Sequence, residues 1–163
     1  MTETPPLSAA EALALARDVG QAMWSRDHAT NALGMQLVSI APGTATITMR
    51  VRPDMVNGHH ICHGGLIFTL ADSAFAYACN SYNLNTVASA CHIDFLAPAR
   101  EGDVLEATAT ERSASGRSWS TGTSRSASRG IAAGPAPSTS PPQWHSRAGC
   151  RSSWSSSTTT GRP

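Results

Sequence analysis

A single carboxylate in an apolar segment is the strongest chemical signal in this sequence. Asp72 stands within LIFTLADSAFAYACN (residues 66–80), a run rich in alanine and aromatic residues that predicts a helix. Neutral side chains occupy the positions three and four residues away from Asp72, so no cation on the same helix offsets its charge. Burying an unpaired carboxylate is costly, which makes Asp72 a candidate nucleophile or general base. The alternative is a structural acid that accepts hydrogen bonds from a neighbouring amide or hydroxyl.

Two glycines before this helix offer a second kind of chemistry. His63, Gly64 and Gly65 lead directly into it. The first amides of a helix have no partner within it and lie at the positive end of its dipole, so Gly64 and Gly65 can bind an anion or polarise a carbonyl oxygen. Asn57 lies just upstream, where its side chain could hydrogen-bond the same group. The alternative is a tight turn that His63 stabilises and that has no chemical role.

The spacing between glycine and acid limits how they can cooperate. Gly65 and Asp72 are seven residues apart, which is about 10 Å along a helix that rises 1.5 Å per residue. One carbonyl group cannot contact both on the same helix, so a shared site needs a second, antiparallel helix. A two-fold related copy of the chain is the simplest source, and the spacing therefore predicts a dimer.

Other side chains carry weaker signals. The HHICH segment (residues 59–63) resembles half of a metal site, but only Cys91 and His92 offer further ligands from a distant segment, and we predict no metal. Ser73, Ser81 and Ser89 could contact a substrate, although isolated serines are usually ordinary polar positions. No Walker loop, dinucleotide-binding fingerprint or GxSxG motif is present.

Charge is distributed unevenly along the chain. Residues 1–111 hold all eleven acids and five arginines, for a formal charge of −6, whereas residues 112–163 hold seven arginines and no acid. The chain has no lysine, and the basic segment lacks regularly interleaved aromatic residues, so we predict no nucleic-acid partner. No apolar run reaches 18 residues and no secretory signal is visible, so we predict a cytoplasmic protein without a membrane partner.

The elements that must position these residues follow from periodicity. Residues 8–24 predict an amphipathic helix with a Ser8 and Glu11 capping box. Alternating patterns predict a hairpin over residues 35–51 and strands over residues 86–97 and 103–112. Strands in this order, with one long apolar helix between them, predict an α+β fold in which a curled antiparallel sheet packs around the helix.

This periodicity ends near Ser113. Residues 113–163 are rich in serine, arginine, glycine and proline and show neither a strand nor a helix period. We therefore divide the chain into a domain at residues 1–112 and a disordered tail at residues 113–163. A sharper interpretation is frame-shifted translation of a GC-rich gene, since shifting the frame over residues 119–124 by one base permits a strand-like sequence.

Three segments resemble the hotdog-fold acyl-CoA thioesterases, including those that act on phenylacetyl-CoA. They are Asn57 with His63-Gly64-Gly65, residues 70–81 (LADSAFAYACNS) and residues 87–103 (VASACHIDFLAPAREGD). The resemblance implies hydrolysis of acyl-CoA without a cofactor, at sites between subunits of a dimer or tetramer.

By the same resemblance, Gly65 and also Gly64 polarise the thioester carbonyl and Asn57 assists them. Asp72 of the partner chain attacks the carbonyl or activates water, and Ser89 positions water or substrate. His63 and Gly64 are the other substrate-binding candidates. Alternatives are a non-catalytic acyl-CoA-binding or oligomerising module and an inactive frameshift product.

The segment after residue 112 departs from the family, whose members continue with two more strands. We therefore expect a sheet whose C-terminal strands are missing or disordered. We also expect a protein with exactly this sequence to be unstable or inactive.

Overall fold

A computed structural model describes residues 6–115, 118–128 and 152–157. These residues form α1 (Ala9–Trp24), α2 (His28–Ala32), β1 (Gln36–Ala41), β2 (Thr44–Arg50), α3 (Gly64–Asn80), β3 (Val87–Ile93), β4 (Val104–Ser115), β5 (Ser118–Ser128) and β6 (Ser152–Ser157). The strands make one sheet in the order β1-β2-β4-β5-β6-β3, and each neighbouring pair is antiparallel.

The sheet packs around α3, which confirms the predicted α+β fold. Alternate side chains of β2 and β4 are buried against the helix, as their period of two predicts. The helix contributes mainly small and aromatic side chains to the same core, and the alanines allow sheet and helix to approach closely. The buried side chains are Ala45, Ile47, Met49, Leu105, Ala107 and Ala109 from the strands and Ile67, Leu70, Ala71, Ala74, Phe75, Tyr77, Ala78 and Cys79 from α3.

The N-terminal elements also follow the sequence. Ser8 caps α1 and forms the predicted capping box with Glu11. The predicted hairpin is β1 and β2, with Gly43 in the turn at a φ of +71° that favours glycine. On α1, a Cβ atom at Gly20 would lie 3.0 Å from Ile40 Cδ1, so glycine permits the close packing of α1 on β1. The sequence did not predict α2, a single short helix capped by Asp27.

Strand β3 is shorter than the sequence predicts, ending at Ile93 rather than near residue 97. It lies at one edge of the sheet and pairs with β6 on one side. Beyond its end, Phe95 and Leu96 are more than half exposed. The apolar character of residues 95 and 96 therefore does not reflect burial within this chain.

Two strands lie in the segment for which the sequence predicts none. The backbone of Ser118–Ser128 pairs with β4 and the backbone of Ser152–Ser157 pairs with β5 and β3. Strand pairing uses main-chain groups, so it can extend a sheet without the apolar alternation that sequence analysis requires. The expectation that C-terminal strands are missing thus differs from the structure at these two segments. The remaining tail and its frame-shifted origin lie outside the described residues.

Candidate active site

The start of α3 is capped by the side chain of the preceding residue. His63 is extended, with φ −61° and ψ 128°, and its Nδ1 accepts a 3.0 Å hydrogen bond from the Gly65 N–H. The His63 carbonyl accepts from the Leu66 N–H at 2.9 Å. The sequence resemblance implies that the Gly65 amide binds substrate, whereas in this structure that amide already donates to His63.

The Gly64 amide is the open donor of this turn. No acceptor for its N–H lies among the residues that the structure describes. A Cβ atom at Gly64 would lie 3.1 Å from Phe95 Cζ, so the Phe95 ring packs directly against the glycine. The site thus combines a free amide at the positive end of α3 with an aromatic wall beside it.

Asn57 organises the loop that precedes the helix. Its Oδ1 accepts from the His59 N–H at 2.9 Å, and its main-chain N–H donates to the Ile61 carbonyl at 2.8 Å. The His63 N–H donates to Met55 O at 2.9 Å, which ties the end of the loop beside its beginning. Hydrogen bonds within the loop therefore fix the Asn57 side chain through Oδ1. The Asn57 Nδ2 has no acceptor in the described part of the chain.

Asp72 lies in the middle of α3 and is half-buried. It neither accepts a hydrogen bond nor forms an ion pair with any residue that the structure describes. Burial raises the pKa of this carboxyl above its usual value of 3.8. The same helix carries Cys79, whose pKa burial raises to about 12 with a smaller contribution from the Asp72 charge. Asp72 is thus the reactive candidate, and Cys79 is an inert thiol.

The structure assigns the serines to different surroundings. Ser81 is fully buried, where its Oγ accepts from the Gly43 N–H at 2.8 Å and donates to Ala78 O at 2.7 Å. Ser73 Oγ lies 3.4 Å from Thr30 Oγ1. Ser89 falls at an irregularity in the pairing of β3 with β6, and its side chain lies outside the described residues. Ser81 is therefore a structural residue.

A polar network that the sequence does not predict joins α2 to α3. Asp27 Oδ2 accepts from Thr30 Oγ1 at 2.5 Å and from the Tyr77 hydroxyl at 3.3 Å. Burial and the Asp27 charge raise the pKa of Tyr77. Trp24 packs on the Tyr77 ring with centroids 5.8 Å apart. Only the N-cap signal at Asp27 could have indicated this network, which fastens α2 and the end of α1 to α3.

The His and Cys residues considered as metal ligands lie in different surroundings. His59 and His60 are exposed loop residues, whereas Cys62 is buried. Within residues 6–115, 118–128 and 152–157, no three His, Cys, Asp or Glu side chains are placed to hold a metal ion. No helix in those ranges combines the length and the apolar character needed to cross a bilayer.

Known proteins share both this sequence and this fold. The Thioesterase superfamily matches residues 59–123. The acyl-coenzyme A thioesterase PaaI of Escherichia coli K12 is 55% identical over 91 residues, which cover 56% of this chain and 65% of that protein. The chain thus matches slightly less than two thirds of that curated relative.

The structures agree over a longer range. The E. coli PaaI protein from the phenylacetic acid degradation operon superposes with a TM-score of 0.79 and 35% identity, over 92% of this chain and 97% of that one. A hypothetical thioesterase from Streptococcus pneumoniae TIGR4, solved with coenzyme A, has a TM-score of 0.69 over 86% of this chain and 99% of that one. At 19% identity, this second likeness concerns the fold alone.

The curled sheet around a central helix is the hotdog fold, as the sequence resemblance implied. With the extended match to a solved relative at 35% identity, the chain belongs to the thioesterase superfamily.

Proposed function

We propose that this chain hydrolyses acyl-CoA thioesters to a free acid and CoA at a site formed by two copies. The observation that carries the proposal is that α3 bears both an open Gly64 amide and an unpaired, half-buried Asp72 carboxylate. Membership of the thioesterase superfamily and the likeness to E. coli PaaI support this chemistry.

The amide acts on the carbonyl oxygen. The Gly64 N–H donates to the thioester oxygen, and the α3 dipole stabilises the negative charge that this oxygen gains as the carbonyl carbon becomes tetrahedral. The Nδ2 of Asn57 assists from the loop. Gly64 takes the leading role that sequence analysis gave to Gly65, because the Gly65 amide is already bonded to His63.

The carboxylate acts on the carbonyl carbon. Asp72 of a second copy either attacks it, forming an anhydride that water then hydrolyses, or removes a proton from the attacking water. In both routes CoA leaves as the thiolate, and one water is consumed for each thioester. Ser89, on β3, positions water or substrate.

The second copy is required by distance. Gly64 and Asp72 are eight residues apart on one helix, about 12 Å at 1.5 Å per residue. Edge strand β3 is the route by which two copies join, since its outer side has no partner strand in the described sheet. Val87 at the start of β3 and Phe95 and Leu96 just beyond its end are all more than half exposed, and the joining of two copies along β3 covers part of this apolar surface.

The acyl group is an aryl-acetyl group such as phenylacetyl. The Phe95 ring stands against Gly64, where it contacts an aromatic acyl chain whose carbonyl the amide holds. The relative from the phenylacetic acid degradation operon supports the same class.

A subunit-mixing experiment tests the shared site. Gly64→Pro removes the amide proton at a helix position that accepts proline, and Gly64→Ala is its matched control, since both add a Cβ atom near Phe95. We expect Gly64→Pro and Asp72→Asn each to lower kcat for phenylacetyl-CoA about 100-fold or more, measured by thiol release. Gly64→Ala should retain most activity.

Mixing the two inactive variants should restore about a quarter of wild-type activity, because half of the dimers are mixed and each mixed dimer has one intact site. No recovery on mixing would contradict a site between subunits. Unchanged turnover in Asp72→Asn would remove Asp72 from the mechanism. Binding of acyl-CoA by the wild type without turnover would instead favour the non-catalytic module.

A further inference from the structure

The His63 side chain accepts a hydrogen bond from the Gly65 N–H, a donor that the proposed chemistry could use. An N–H group can only donate, so the 3.0 Å bond from Gly65 requires that the His63 Nδ1 carry no proton. Helices are usually capped by the short side chains of Ser, Thr, Asn or Asp, and an imidazole cap is uncommon. The His63 side chain is exposed, so solvent rather than the core surrounds its ring.

The ring lies directly over Gly65. A Cβ atom built there would be 3.1 Å from His63 Nδ1 and 3.4 Å from its Cε1. An incoming oxygen can therefore bond the Gly65 N–H only after the imidazole has moved away. The neighbouring Gly64 amide needs no such displacement.

We infer that His63 is a positioning residue that holds the Gly65 amide in the free protein and gives it up to the substrate oxygen. This inference rests on the proposed function and adds a second donor to it. When the His63 side chain rotates away, the Gly65 N–H loses its hydrogen bond to the neutral Nδ1 of His63 and gains one to the substrate oxygen. An oxygen that gains negative charge accepts the more strongly, so the exchange favours the tetrahedral state over the bound thioester.

Two substitutions separate this role from simple capping. His63→Ala removes the acceptor, and His63→Asn replaces it with a favoured cap. We expect His63→Ala to melt at a lower temperature, yet to bind a phenylacetyl-CoA ketone, in which CH₂ replaces the thioester sulfur, about fivefold more tightly. Fivefold is the factor by which a typical N-cap shifts the equilibrium toward the capped helix, and this is the stabilisation that substrate must overcome when it displaces His63. His63→Asn should restore both the melting temperature and the weaker binding.

The decisive result is that His63→Ala lowers the melting temperature and raises the affinity for the ketone. Thermal unfolding measures the first and calorimetric titration the second. In wild type, the Gly65 amide resonance should shift together with that of Gly64 when the ketone binds. If His63→Ala lowers affinity as well as stability, or if the Gly65 resonance stays unchanged at saturation, the inference is wrong. Wild-type turnover in the same preparation would then leave the proposed function standing, whereas absence of both turnover and ketone binding overturns the two together.

Discussion

At the level of single residues, Asp72 differs from acids whose charge is compensated. A hydrogen bond from Arg52 lowers the pKa of Asp54, and hydrogen bonds from Ser8 lower that of Glu11. Both of those acids are exposed. Asp72 is instead half-buried, and burial raises its pKa with no opposing contribution. A charge kept in such a place costs stability, which is typical of catalytic groups.

The raised pKa makes the stability of the wild type depend on pH in a defined direction. A carboxyl whose pKa is higher in the folded state stabilises the fold most below its unfolded value of about 3.8, and this contribution is lost as pH rises through the folded pKa. We expect Asp72→Asn to gain stability relative to wild type between pH 4 and neutrality. Urea unfolding across this range measures the difference, and kcat of the wild type should rise with pH as the carboxylate forms.

Asp18→Asn is the matched control, because Asp18 is an exposed acid on α1. Its stability relative to wild type should not rise in the same way. A pH-independent difference between Asp72→Asn and wild type would contradict a raised pKa for Asp72.

At the level of elements, the C-terminal end of α3 is held as firmly as its start. Asn80 Nδ2 donates to Thr86 O at 2.8 Å, and its Oδ1 accepts from the Thr86 N–H at 2.9 Å. Ser81 joins the same end to the β1–β2 turn through the Gly43 amide. Both ends of α3 are therefore fixed by hydrogen bonds to neighbouring segments.

Loss of the Ser81 hydroxyl should therefore destabilise the fold. Ser81→Ala leaves the buried Gly43 N–H without its acceptor, which typically costs about 1–3 kcal/mol. Ser39→Ala, at an exposed position in β1, should change the free energy of unfolding by less than about 0.5 kcal/mol. Chemical denaturation measures both, and equal effects of the two substitutions would show that the Gly43 contact is not stabilising.

At the level of the whole molecule, the serine-rich strands occupy the middle of the sheet. β5 and β6 lie between β4 and β3 in the strand order, so they join the edge that we propose for dimerisation to the rest of the sheet. Identity to E. coli PaaI falls from 55% over 91 residues to 35% when 92% of the chain is compared. The positions added in the longer comparison thus contribute few identities.

We expect a chain with the alternative frame restored from residue 113 to be more stable than this one. Each large aliphatic side chain that restoration places on the inner face should add about 1.5–3 kcal/mol, since SWSTGTSRSAS and SSWSSS contain no aliphatic residue larger than alanine. Thermal unfolding, sedimentation and thiol release compare the two chains. Equal or lower stability of the restored chain, or a gene with no strand-encoding alternative frame, would contradict this prediction.

Local patterns in the sequence determined the capped α1, the first hairpin, the long α3 and the acid within it, because periodicity and capping act over a few residues. The proposal of a site between two copies also rests on sequence, since helical rise alone separates glycine from acid. Only the tertiary structure decided that His63 occupies the Gly65 amide and leaves Gly64 open, because side-chain rotamers determine hydrogen-bond partners. It also decided that serine-rich segments pair within the sheet, because main-chain hydrogen bonding carries no signature in side-chain composition.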